Sequence, residues 1–78
     1  MDSKTIGTII RDTRRGMGIR QDELASVAGL STRALSSIEN GKLTAQIGLV
    51  LNVLNALGII ITLSPALEYE LSKEQNLD

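Results

Sequence analysis

The chain predicts a mainly all-α fold of four to five short helices closed by one C-terminal β-strand. Three observations carry that prediction. Apolar residues recur at helical spacing in four segments, and Gly18, Gly29, Gly41 and Gly58 punctuate those segments. The one β-branched run, Ile59-Ile60-Ile61-Thr62-Leu63, follows the last of these glycines. The third observation is an absence: 78 residues contain no Cys and no His. Disulfides and thiolate or imidazole metal sites are therefore excluded, and a core this thin needs oligomerisation to stabilise it. The same absence removes every histidine-based nucleophile or acid–base arrangement.

The first helix is expected from Ser3 to about Met17. Ile6, Ile9, Ile10 and Met17 share one face, Arg11, Arg14 and Arg15 the other, and Gly18 ends it. The second, residues 20–28, opens with Asp22 and Glu23, where the helix dipole favours carboxylates, and turns Leu24, Ala25 and Ala28 inward. Ser31 is a good N-cap for the third, Thr32 to Asn40, which points Leu35 and Ile38 at the core. Two short helices joined through Ala28-Gly29-Leu30-Ser31 make a helix-turn-helix unit, and small Ala25 and Ala28 permit its close crossing.

Thr44 suits the cap of a fourth helix, about Ala45 to Leu57, with Ile47, Val50, Leu51, Leu54 and Leu57 as a wide apolar stripe. Leu49 and Val53 add a second apolar side, which in a chain this short has little to pack on except another copy. The strand at 59–63 would be the only one. Its unpaired edges require a partner strand, most simply that of a symmetry mate. A homodimer is thus expected through Leu49, Val53, Ile59, Ile60, Ile61 and Leu63. The organisation that follows is a helical domain over 1–58, a dimerisation strand over 59–63, and an acidic tail over 64–78 that is flexible or folds only on a partner.

Charge is segregated along the chain, although the net value is only −1. Residues 1–63 carry seven Lys and Arg against five acids, and residues 64–78 carry Lys73 against Glu68, Glu70, Glu74 and Asp78. The opening Met1-Asp2-Ser3-Lys4 lacks the pattern of a secretory signal, so a cytoplasmic location is the expectation. Leu43 to Leu67 is free of charge and long enough to span a bilayer, but Gln46, Asn52, Asn55, Gly58 and Pro65 interrupt it and argue against a membrane segment.

Enzyme chemistry has little to stand on. The carboxylates are scattered, helix capping explains the adjacent pair Asp22-Glu23, and Gly16-Met17-Gly18 has neither a preceding strand nor a third glycine to make a phosphate loop. No cofactor is implied. The third helix says more: Arg33, Ser36, Ser37 and Asn40 stand at i, i+3, i+4 and i+7, one polar face nearly free of acid. Small serines allow a helix to sit close to a groove floor while the guanidinium reaches a guanine edge or a phosphate. A solvated surface would look similar, but the second helix of such a unit is the one that enters the major groove.

The stretch Arg20-Gln21-Asp22-Glu23-Leu24-Ala25, then Gly29-Leu30-Ser31, then Leu35-Ser36-Ser37-Ile38-Glu39-Asn40-Gly41-Lys42 resembles the xenobiotic-response-element (Cro/C1-type repressor) helix-turn-helix family. With the strand and acidic tail added, the chain is most similar to HipB-type antitoxins. The resemblance implies a repressor-like fold and a homodimer that binds double-stranded operator DNA. It further implies a HipA-type serine/threonine kinase toxin as partner; a free-standing regulator without a toxin is the alternative. It implies base reading by Thr32, Arg33 and Ser37, and phosphate contacts from Gln21, Asn40 and Lys42. Ser36 belongs with these backbone contacts. Arg14 and Glu39 match a structural salt bridge. Arg20 departs from the family, which has Thr, Ser or Asn there; it cannot cap by accepting a hydrogen bond, and an extra phosphate contact is its expected role.

Overall fold

A computed structural model describes residues 2–42 and 47–62. Within them lie four helices, α1 (Ser3–Gly16), α2 (Gln21–Ala28), α3 (Thr32–Glu39) and α4 (Ile47–Ala56). α3 packs against both α1 and α2, and α4 packs against α2. Ile10 of α1, Leu24, Ala25 and Ala28 of α2, Leu35 and Ile38 of α3, and Val50, Val53, Leu54 and Leu57 in and just beyond α4 form one core.

Local chemistry sets the helix ends. The Asp2 carboxylate accepts a hydrogen bond from the Thr5 amide at 2.8 Å and starts α1. Ser31 Oγ accepts from the Ala34 amide at 3.0 Å and starts α3. Between α2 and α3 the chain reverses at Gly29, whose φ of 80° is left-handed and favours glycine. The Leu30 amide there donates to the Ala25 carbonyl at 3.0 Å, so the turn satisfies the carbonyls α2 leaves open.

The helix boundaries differ from the expected ones by single residues. Arg20 has extended backbone and precedes α2 instead of beginning it, and Asn40 caps α3 instead of belonging to it. The larger correction concerns α4. Val53, expected to face a second copy, is fully buried inside the protomer, whereas Leu51, placed in the inward stripe, is 46% exposed. At the α-helical twist Val50, Val53, Leu54 and Leu57 share an arc of about 100°, and Leu51 falls outside it. Of the expected dimerisation residues on α4, only Leu49 keeps partial exposure.

Among the described residues there is no strand. Ile59 and Ile61 nevertheless pack on the core while Ile60 between them is 89% exposed, the inside–outside alternation of an extended segment. Leu63, the Thr44 cap, Ala45 and the acidic tail lie outside the described residues. No helix among those described is long and apolar enough to cross a membrane.

Candidate nucleic-acid interface

The α2–α3 unit is held by buried polar groups. Arg14 in the last turn of α1 and Glu39 at the end of α3 form a bidentate pair, Nε to Oε2 at 2.7 Å and Nη2 to Oε1 at 3.0 Å. The remaining guanidinium nitrogen, Nη1, donates to the Ile19 carbonyl at 2.9 Å. The pair is almost wholly buried, with Arg14 7% and Glu39 3% exposed. Hydrogen bonding to Glu39 raises the Arg14 pKa further above its ordinary value, outweighing the opposing effect of burial. Two planar forks meeting in this way fix the angle between α1 and α3.

Gln21 joins the same network. Its side-chain amide donates to Glu39 Oε1 at 3.1 Å, tying the first residue of α2 to the last of α3. The bracing role implied for Gln21 therefore runs through Glu39. Phosphate contact from Gln21 is left to whatever donor capacity the Glu39 bond does not use.

α1 reaches α3 closely enough for this only because of Gly7. A Cβ placed on Gly7 would press into the Ile38 carbonyl oxygen and lie 2.7 Å from that of Glu39. Sequence reasoning missed this position. The signal was available, since a glycine on the buried face of an otherwise regular amphipathic helix usually marks a close backbone approach.

With its back fixed, α3 presents Thr32, Arg33 and Asn40 exposed and Ser36 and Ser37 half-buried, with Lys42 exposed just beyond. Arg33 makes no ion pair with any described residue, and the exposed face of α3 on which it stands carries no acid. Arg20 differs. Its Nε lies 3.5 Å from Asp22 Oδ1 and 3.2 Å from Glu23 Oε1, and the same Glu23 oxygen accepts from the Arg20 amide at 3.0 Å. Asp22 Oδ1 accepts from the Glu23 amide, the donor that an N-cap oxygen would take, so the start of α2 is satisfied without Arg20; the Arg20 guanidinium, expected to make an extra phosphate contact, is paired with both carboxylates.

The helix-turn-helix family profile matches residues 10–61, two thirds of the chain. The chain belongs to the helix-turn-helix family. Its α2 and α3 are the defining pair. A curated relative, an uncharacterized HTH-type transcriptional regulator named y4mF from Sinorhizobium fredii, is 52% identical over 56 residues, covering 72% of this chain and 74% of that protein. The ImmF control region 10 kDa protein of Bacillus phage phi105 is 40% identical over 42 residues, and the match spans 54% of this chain and about half, 47%, of the phage protein. Among solved structures, the clp gene regulator ClgR from C. glutamicum superposes with a TM-score of 0.68 at 25% identity, covering 97% of this chain and 95% of that one. The Cro/C1-type resemblance is supported at the level of the family.

A second region stands apart from this face. Ile6 and Ile9 of α1, Leu54 of α4 and Ile59, Ile60, Ile61 and Thr62 line an open apolar groove of about 160 Å³ that contains no charged side chain. Ile9 is 40% exposed. Expected dimerisation residues Ile59, Ile60 and Ile61 meet here, together with Ile6, Ile9 and Leu54, which sequence reasoning assigned only to helix faces.

Proposed function

We propose that this helix-turn-helix protein is a transcriptional repressor that binds operator DNA as a homodimer. The observation that carries the reading is the acid-free outer face of α3, on which Arg33 is exposed, fixed from behind by the Arg14–Glu39–Gln21 network. Thr32, Arg33 and Ser37 read base edges, and Ser36, Asn40 and Lys42 grip the backbone. The names of its relatives, transcriptional regulators and a phage control-region protein, agree with this role.

The second copy docks at the apolar groove. Ile60 fills the opening between α1 and α4 of its mate, and residues 59–63 of two protomers pair as strands. Leu49 extends the contact; Val53 has no part in it. Two α3 helices then enter successive major grooves about 34–36 Å apart, so the operator has inverted half-sites one helical turn apart.

Selection of duplexes from a random pool at about 150 mM salt, where non-specific binding is weak, tests both claims. The expected result is an enriched pair of inverted half-sites; enrichment of a single half-site would break the dimer claim, and no enrichment the repressor claim. Arg33→Ala is expected to relax base preference at one position of each half-site, by about 1–3 kcal/mol. Equal weakening on every sequence would make Arg33 a phosphate contact.

The narrower role of antitoxin, with a HipA-type kinase toxin as partner, rests on the sequence resemblance and on Glu68, Glu70 and Glu74 of the tail, which would face a basic partner surface. Co-expression with an adjacent kinase gene, followed by co-purification, tests it. Separate elution of the two chains at micromolar concentration would favour a free-standing regulator.

A further inference from the structure

A cluster of three charges stands at the start of α2. Arg20 stands next to Gln21, at the end of α2 that abuts the end of α3, where a helix-turn-helix approaches the DNA backbone. Its guanidinium sits between Asp22 and Glu23, at 3.5 Å and 3.2 Å, and all three side chains are more than half exposed. The local sum is one positive and two negative charges. At physiological salt, charges interact over about 8 Å, so a phosphate touching Arg20 feels both carboxylates. Exposed ion pairs are weak and a phosphate can displace either one, but the displaced carboxylate remains within that range.

We propose that Asp22 and Glu23 limit sequence-independent DNA binding by neutralising Arg20, leaving a larger share of the affinity to base reading by α3. The inference rests on the DNA-binding reading above. In it Arg20 is a suppressed phosphate contact, and the two acids set specificity without touching a base. Backbone affinity is common to every sequence, so reducing it widens the ratio between operator and random DNA. Glu23 serves the helix at the same time, because its Oε1 accepts from the Arg20 amide at 3.0 Å. Asp22 Oδ1 likewise accepts from the Glu23 amide at 2.9 Å.

Those capping bonds choose the test. In the full chain, Asp22→Asn with Glu23→Gln removes both charges and keeps a carbonyl acceptor at each bond. Binding to a labelled duplex of scrambled sequence is then measured from about 50 to 200 mM salt, beside binding to the selected operator. The double variant is expected to bind scrambled duplex several-fold more tightly at the low end, with a log–log salt slope steeper by about 0.9, the contribution of one further neutralised phosphate. The operator-to-scrambled ratio should fall. Adding Arg20→Ala to the double variant should abolish the gain, whereas Arg20→Ala in the parent should change little.

Three results would overturn the inference. Unchanged scrambled-duplex affinity and slope in the double variant would show that the acids do not restrain binding. A gain that survives Arg20→Ala would assign it to general charge and not to Arg20. A large loss from Arg20→Ala in the parent would show that Arg20 already holds a phosphate. If the parent bound neither duplex at any salt, the DNA-binding reading itself would fall, and the inference with it.

Discussion

The two faces of α1 are built on opposite principles. Toward α3 it places Gly7, Ile10 and Arg14, all buried, and each finds its complement within the same chain: carbonyl backbone for Gly7, core side chains for Ile10, a carboxylate fork for Arg14. Toward α4 and the C-terminal segment it places Ile6 and Ile9 beside Ile59, Ile60 and Ile61, around an apolar groove that is open among the described residues, with Thr62 as the one polar side chain lining it. The first face is closed by residues of the same chain; the second is left open by the described residues. Under the proposed function preorganisation accounts for the difference, since a helix proposed to read base edges is best held before DNA arrives, whereas the proposed dimer contact would be completed by the mate.

The sharpest way to break the closed face is Glu39→Ala. It leaves the Arg14 guanidinium buried without a counter-charge and Gln21 without its acceptor. A loss of about 3–5 kcal/mol is expected, because the uncompensated charge keeps its desolvation cost. Urea unfolding measures it. Replacing Arg14 and Glu39 together by methionine should recover most of that stability. A double variant as unstable as Glu39→Ala would mean that geometry, not charge, is what the pair supplies.

Gly7→Ala follows in size. The added methyl meets the carbonyl backbone of Ile38 and Glu39, which is not a flexible side chain and can yield only if α1 moves away from α3. Overpacking of this kind costs about 1–3 kcal/mol, and more where backbone must shift. Operator affinity should drop by more than stability alone explains, since the displacement tilts α3. An unfolding midpoint equal to that of the parent would show that α1 has room to spare.

The closed face was also the more legible one in the sequence. The Arg14–Glu39 pair was legible only through the family resemblance, since periodicity put Arg14 on the polar face with Arg11 and Arg15 whereas it is buried beside Gly7 and Ile10; the glycine at 29 with Ser31 behind it marked the turn and the start of α3. The helix-turn-helix was readable because its parts are local: caps, a short connection and small residues at the crossing. What escaped notice was relational. Gly7 matters through a backbone that lies more than thirty residues away in sequence, and Arg20 through acids whose capping role hid their effect on its charge. On α4 nearly every position is apolar, so periodicity offered two overlapping stripes, and Leu51 and Val53 exchanged places. The strand expected at 59–63 does not form among the described residues, and only the alternation of partly buried Ile59 and Ile61 about an exposed Ile60 is consistent with an extended segment there.

The open face is tested by Ile60→Asp. Ile60 is exposed in the protomer, so monomer stability should stay within about 0.5 kcal/mol of the parent. In a symmetric dimer the substitution brings two carboxylates into an apolar groove, and light scattering at micromolar concentration should report a monomer. Operator binding would then fall to the affinity of a single half-site. A variant that remained dimeric would move the interface elsewhere, to the exposed Leu51 side of α4 first.

The smallest effect expected is a pH dependence, and it separates the two ends of α1. The Asp2 carboxylate is held below its ordinary value of 3.8, chiefly by the hydrogen bond from the Thr5 backbone amide. A carboxylate whose pKa is lowered by folding contributes stability that is fully present above its unfolded value. That contribution is lost as pH falls below about 3.8 and through the lowered folded value. Protonation loosens the first turn of α1, where Lys4, Thr5 and Ile6 lie, while Arg14 sits at the far end. Amide exchange at Thr5 and Ile6 should therefore accelerate in that window before exchange near Arg14 does. Asp2→Asn keeps a capping oxygen without the titrating charge and should remove the pH dependence. If the change persisted in that variant, the acid sensitivity would belong to another carboxylate, and α1 would be uniform along its length.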